Sequence, residues 1–155
     1  MRGNVPTRIR RVDEGTVDAT VLAEAGLVRL GLGERAGPRL EPPDFLPAPG
    51  QGAIAIQCKA DGPGAAACVA LDHAPTRARV WSERAVLEAI GGGCSAPLGA
   101  LAVLNEDGTI AVEGALWTDD GAQVVRATEH GTGLDVTAAV EAGRKVGRQL
   151  RQGIE

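Results

Sequence analysis

Aromatic side chains are nearly absent: the 155 residues include two Trp, one Phe and no Tyr. Any core must therefore be filled by Val, Leu, Ile and Ala. Histidine is scarce as well, with two copies, and the three cysteines, Cys58, Cys68 and Cys94, form no CxxC pair. These counts argue against a zinc site and against a disulfide framework, so no metal is expected and at least one thiol should be free. No apolar run approaches the roughly 20 residues of a membrane-spanning helix. The N-terminal MRGNVPTRIRR has no apolar stretch of the secretory type, which makes a cytoplasmic location without a membrane partner the expectation. Nor is there the basic excess of a nucleic-acid binder, since the net charge is −4. Arg2, Arg8, Arg10 and Arg11 are nonetheless gathered at one end and leave room for a local anion site.

What is present suits a globular protein: 44% hydrophobic and 23% charged residues, with 22 glycines and 9 prolines that imply many turns. Thr7 to Val12 suits a helical turn or two, Asp13 to Gly15 a turn, and Val17 to Ala23 a short buried strand. Ala25 to Leu32 suits another helical turn, closed by Gly33. Gly37 to Gly50 contains five prolines and reads as a connector. Ala53 to Cys58 is a compact apolar strand, and Gly64 to Leu71 a short helix. From Thr76, a plausible N-cap, to Ile90, the residues Val80, Val86, Leu87 and Ile90 make an apolar helical face, with Glu83 and Arg84 as polar positions between them. Gly91-Gly92-Gly93 ends that helix. Strands follow at Leu98 to Leu104, Thr109 to Trp117 and Gln123 to Thr128, separated by Asp107-Gly108 and Asp120-Gly121. Val136, Val140, Gly143, Val146 and Leu150 recur at helical spacing.

Helix, three antiparallel strands and helix describe a compact α+β domain over about 75–155. Two isolated strands cannot form a stable sheet by themselves, so the first 70 residues are expected to complete sheets begun elsewhere.

Several segments carry chemistry. Three glycines before Cys94 permit positive φ and close approach of a ligand, yet the same pattern serves a helix-ending turn with an incidental thiol. Arg2 and Arg8 flank a turn and suit a carboxylate clamp, or simply a solvated basic terminus. Arg29 and Arg84 share that ambiguity. Leu46-Pro47-Ala48-Pro49-Gly50-Gln51-Gly52-Ala53 can aim backbone N–H groups at an anion, or merely cross between domains. Cys58 and Cys68 read as small buried hydrophobes. His73 and His130 have no partner at ligand or triad spacing, and Asp18 reads as a solvent-facing or paired carboxylate.

The order of these segments is more specific than any one of them. RGNVPTR, DEGTVDATVLAEAGLVRLGL, LPAPGQGAIAIQC and ARVWSERAVLEAIGGGCSAPLGA together resemble the porphobilinogen deaminase (hydroxymethylbilane synthase) family from Arg2 to about Gly99, and more weakly to the last helix. The resemblance implies a transferase of tetrapyrrole and heme biosynthesis that joins four porphobilinogen units with loss of ammonia. It implies a dipyrromethane cofactor in thioether linkage to Cys94, with Arg2, Arg8, Arg84, Gln51 and Gly52 also cofactor-binding. Arg8, Arg29 and Ala23 would face substrate, namely porphobilinogen and the growing polypyrrole chain.

The implied fold is an α/β remnant of a periplasmic-binding-protein-like domain followed by a small α+β domain. Residues 1–50 would be a partial second domain, 51–70 a crossing segment of an incomplete first domain, and 75–155 the C-terminal cofactor-attachment domain. The family's catalytic aspartate, on a Lys-Asp-Val-Pro loop, has no counterpart here, so no catalytic residue is assigned and the isolated chain is expected to be inactive. The alternative is a non-catalytic fragment, or a split-protein module that works with a separately encoded N-terminal half.

Overall fold

The computed structural model describes residues 2–93 and 95–154. The chain divides into two compact units, residues 1–40 and 41–155.

The first unit is helical. Helix α1 (Val5–Asp13) starts where the Asn4 side-chain oxygen accepts the Thr7 N–H at 3.0 Å, with Pro6 in the first turn and Arg10 and Arg11 in the last. Helix α2 (Glu24–Arg29) closes at Gly31 rather than at Gly33. Gly31 adopts φ +68°, its N–H reaches Val28 O, and the Leu32 N–H reaches Leu27 O at 2.9 Å. That pair of bonds needs a left-handed residue, which only glycine adopts without strain. Gly33 instead opens a 3₁₀ turn (Gly33–Arg35). Exposed ion pairs link Arg35 to Asp13 and Arg39 to Glu24. Such pairs contribute at most about 1 kcal/mol each. Leu27 is this unit's one buried apolar side chain among the described residues.

Val17 to Ala23 is not a buried strand: it runs without a ladder, and Val21 is exposed. The local pattern for a strand is there, but among the described residues no chain lies beside it to pair with. The same correction holds for Ala53 to Cys58 in the second unit. That segment is exposed throughout and unpaired, with Ile54 at 77% exposure.

The second unit holds helix α3 (Ala65–Ala70), helix α4 (Ala74–Ile90), strands β1 (Leu98–Leu104), β2 (Thr109–Trp117) and β3 (Val124–Thr132), and helix α5 (Val136–Ile154). The sheet is antiparallel in the order β1-β2-β3. Its helix and antiparallel-sheet content agrees with the expected α+β architecture, and the first two strands end where the pattern puts them. Strand β3 continues four residues further, pairing His130 with Ala111 and Thr132 with Thr109. Its second half is polar because it is an edge strand with alternating exposure. Both Asp-Gly turns are left-handed at glycine, Gly108 at φ +81° and Gly121 at φ +71°. The Asp107 carboxylate accepts the Thr109 hydroxyl and N–H, which holds its pKa below the usual range.

Helix α4 is capped by His73, whose Nδ1 accepts the Thr76 N–H at 3.4 Å. Thr76 is therefore inside the helix and is not its cap, because Pro75 is tolerated within the first turn. Helix α5 is capped by Asp135, which accepts the Thr137 and Ala138 N–H groups.

One sheet face and the two helices enclose the core: Val86 from α4, Ala100 and Ala102 from β1, Ile110, Val112 and Leu116 from β2, and Val146 and Leu150 from α5. With no large aromatic in this set, the helices come unusually near each other. A Cβ on Gly143 would lie 2.1 Å from Ser82 O, and one on Gly147 would lie 2.6 Å from Val86 O. No helix among the described residues is long and apolar enough to cross a membrane.

The contact between α4 and α5 yields a test. Alanine in place of an interior helical glycine gains about 1 kcal/mol of helix propensity. At Gly143 the clash with helix backbone outweighs that gain, so Gly143→Ala should destabilise by about 1–3 kcal/mol in denaturant unfolding. A stabilised variant would disprove the close contact.

Candidate functional site

The connector Glu41 to Gly52 is not a loose link. It is fastened to the three-stranded sheet in successive steps. Pro43 O and Asp44 O accept from the Arg126 guanidinium at 2.6 and 3.4 Å, and the same guanidinium meets Glu113 at 3.2 Å. Arg126, Ala115 and Gly99 form one cross-strand row, and buried Leu46 lies over Gly99. A Cβ on Gly99 would come within 2.7 Å of the Leu46 Cβ, so this position requires glycine for close approach. Next, Pro47 O accepts the Ala100 N–H at 2.8 Å on the free edge of β1. The chain then turns through Ala48–Gln51, with Gly50 and Gly52 at φ +76° and +83°.

Glu83 completes the attachment. Its Oε2 accepts the Gly50 N–H at 2.7 Å, and its Oε1 accepts the Ala102 N–H at 2.9 Å. The residue is only 6% exposed, which corrects its reading as a polar position between apolar neighbours. The signal was available: Val80, Glu83, Leu87 and Ile90 fall on a single helical stripe, so an acid there points inward. Burial pushes the Glu83 carboxyl above its ordinary pKa of 4.5, against the opposing pull of the two N–H bonds and the charge of Arg79.

The residues singled out by sequence fall as follows. Cys94 lies outside the described residues. Arg2 is exposed, while Arg8 is half-buried and its Nε donates to Gly3 O at 3.0 Å. Arg29 ends α2 and Ala23 precedes it, both exposed. Gln51 and Gly52 sit exposed on the turn that Glu83 holds. Arg84, next to Glu83, projects from α4 into a groove of about 920 Å³ against α5, which Trp81, Gly92, Val140 and Arg144 also line. Gln51, Gly52 and Arg84 thus come from segments joined through one carboxylate.

Among the described residues, no ion pair engages Arg2, Arg8, Arg29 or Arg84. Arg11 and Arg79 likewise show no ion pair, whereas Arg10, Arg35, Arg39, Arg77, Arg126, Arg144 and Arg148 pair with carboxylates of the chain. Guanidinium groups without a carboxylate partner in the chain suit a ligand that brings its own carboxylates.

Cys58 and Cys68 are not buried hydrophobes. Cys58 is exposed and Cys68 half-buried, both free thiols, and a hydrogen bond donated by the Cys68 thiol to Cys58 raises the Cys68 pKa. The apolar neighbours of Cys58 do not pack over it, since residues 53–58 pair with no strand among the described residues. Asp18 is exposed as expected. No group of three or more His, Cys, Asp or Glu among the described residues is arranged to hold a metal ion.

Two family models match the chain. The model described as porphobilinogen deaminase, dipyromethane cofactor binding domain, covers residues 1–66. The porphobilinogen deaminase C-terminal domain covers residues 77–152. The chain is 46% identical to the porphobilinogen deaminase of Thermus thermophilus over 99% of its own length and 50% of that protein. It is 48% identical to that of Desulforudis audaxviator over 84% of its length and 42% of the relative, and 43% identical to that of Nitratidesulfovibrio vulgaris over 97% and 48%. This chain belongs to the porphobilinogen deaminase family, and it spans about half the length of the curated relatives it matches.

The raised pKa of Glu83 predicts a pH effect with a definite sign. A carboxyl whose pKa is higher folded than unfolded contributes most to stability below its unfolded pKa. That contribution is lost as pH rises through the folded value. The stability of the chain relative to Glu83→Gln should therefore decline upward from about pH 4.5 and then level off. Urea titrations of both proteins from pH 4 to 8 measure this, and a difference that grows with pH would contradict it.

Proposed function

We propose that this chain supplies the cofactor-attachment and carboxylate-binding part of a hydroxymethylbilane synthase, which joins four porphobilinogen units with loss of ammonia. The observation that carries the reading is the conjunction of family membership with four motif arginines, Arg2, Arg8, Arg29 and Arg84, that have no ion pair among the described residues. Porphobilinogen and its oligomers bear acetate and propionate groups, which would supply the carboxylate partners these arginines lack. In this reading Arg8 and Arg29, with Ala23 beside them, face substrate. Arg2, Arg8, Arg84, Gln51 and Gly52 hold the dipyrromethane cofactor, which when bound supplies the primer on which the tetrapyrrole grows.

Cys94 is the covalent anchor. The amino nitrogen of a pyrrole's aminomethyl substituent would leave as ammonia, and the Cys94 sulfur would bond to the methylene carbon that remains. A C–S bond replaces a C–N bond, and the thiol proton departs with the ammonia. A thiolate is a suitable nucleophile for so soft a carbon.

The same reading assigns residues 1–50 to part of a periplasmic-binding-protein-like domain, 51–70 to a crossing segment of a first domain, and 75–155 to the C-terminal cofactor-attachment domain. It sets the protein in the cytoplasm. Support comes from the unpaired, exposed Ile54 and Ile56, which have the alternation of a strand awaiting a sheet. Turnover then requires the half of the family fold that carries the aspartate loop, whether on the same polypeptide or as a separate chain. A purely non-catalytic fragment is the competing reading.

The experiment adds porphobilinogen to this chain alone, and to this chain mixed with the preceding half of the Thermus thermophilus relative. Mass spectrometry follows Cys94, and absorbance follows the tetrapyrrole product. A dipyrrole adduct and product in the mixture, with neither formed by the chain alone, is the expected outcome. Turnover by the chain alone would refute its dependence on the other half, and an unmodified Cys94 in the mixture would refute the cofactor role.

A further inference from the structure

We propose that Glu83 is a positioning residue that makes the turn Pro47–Ala53, where the crossing segment begins, and the Cys94-bearing domain move as one body. The consequence for cofactor attachment rests on the function proposed above; the mechanical coupling does not.

Three features of the geometry lead here. First, Glu83 is buried without an ion-pair partner among the described residues, and each oxygen instead receives a backbone N–H from a different segment, Gly50 and Ala102. A buried acid is a poor choice for filling space, because an apolar side chain of similar volume avoids its desolvation cost. Its distinctive capacity is to present two acceptors in fixed directions. Second, the donors are unlike in kind. Ala102 belongs to the sheet edge, whereas Gly50 belongs to the turn, whose left-handed glycines at 50 and 52 bracket Gln51. With the Gly50 N–H fixed, the direction in which Gln51 leaves the turn is fixed too. Third, α4 carries Glu83 and leads directly through Gly91–Gly93 to Cys94, so the residue joins the turn to the helix that delivers the thiol. The strap over Gly99 and the Pro47–Ala100 bond hold the connector up to residue 47. Beyond that point, the Gly50 bond to Glu83 is the attachment closest to Gln51.

Glutamine at 83 keeps one acceptor and turns an NH₂ group toward the other N–H; methionine keeps neither. Amide hydrogen exchange should therefore rise at Gly50 by on the order of tenfold or more in Glu83→Met and by less in Glu83→Gln. Exchange at Val112, in the middle of the sheet, should stay unchanged and so report intact folding. If Glu83→Met also loosens Val112, Glu83→Gln is the deciding variant. In the complemented mixture, adduct formation at Cys94 should slow in the same order at equal folded fraction. A merely structural role would leave that rate per folded molecule untouched. Unchanged exchange at Gly50 would overturn the latch. So would an unchanged loading rate alongside a loosened Gly50. If wild type fails to load while the Gly50 pattern appears as expected, the proposed function falls and the mechanical coupling stands.

Discussion

A single buried carboxylate holds three parts of the second unit in register. Glu83 sits on α4, accepts from the edge of β1 through Ala102, and accepts from the connector through Gly50. An unsatisfied N–H in that position costs about 1–3 kcal/mol, and an uncompensated charge costs more. The three parts are therefore interdependent: displacing any of them strands a polar group without water. Helix placement, sheet edge and connector path are in this sense one decision made by one side chain.

Around that point the packing follows from what the composition withholds. Lacking aromatics, the core uses Val, Leu, Ile and Ala, and the small volumes bring α4 and α5 into backbone contact at Gly143 and Gly147. Dense cores made of small residues tolerate little change in volume. The first unit has no comparable interior, with Leu27 its only buried apolar residue among those described. Its first helix is capped by the Asn4 side chain and its second has no side-chain cap, and the unit is thinly packed.

Local signals were legible wherever they sufficed. Alternation and Asp-Gly turns placed β1 and β2, and glycine with helical periodicity placed α4 and α5. They failed where a partner decides the outcome. Val17 to Ala23 and Ala53 to Cys58 have strand composition, but a strand exists only beside another, and composition carries no information about neighbours. The polar second half of β3 was hidden for the converse reason, since an edge strand needs only one apolar face. Glu83 lay in plain view on the apolar stripe of α4. It was passed over because an acid on a helix usually faces water, and the N–H groups that pull it inward come from residues far along the chain. Of the candidate site, the arginines were legible through motif order, whereas the hydrogen bonds that organise Gln51 and Gly52 were not.

The strap along β1 also bears on self-association. Backbone donors at Ala100 and Ala102 are consumed by Pro47 and Glu83, while no segment among the described residues pairs with the outer edge of β3. A sheet with one sealed and one open margin can join a second copy only margin to margin, after which no free ladder remains. Fibrillar growth through this sheet needs two open margins per molecule. Peeling the connector from β1 would free only the Ala100 donor, because Ala102 stays bound to Glu83, so α4 and the strap together close this margin to polymerisation.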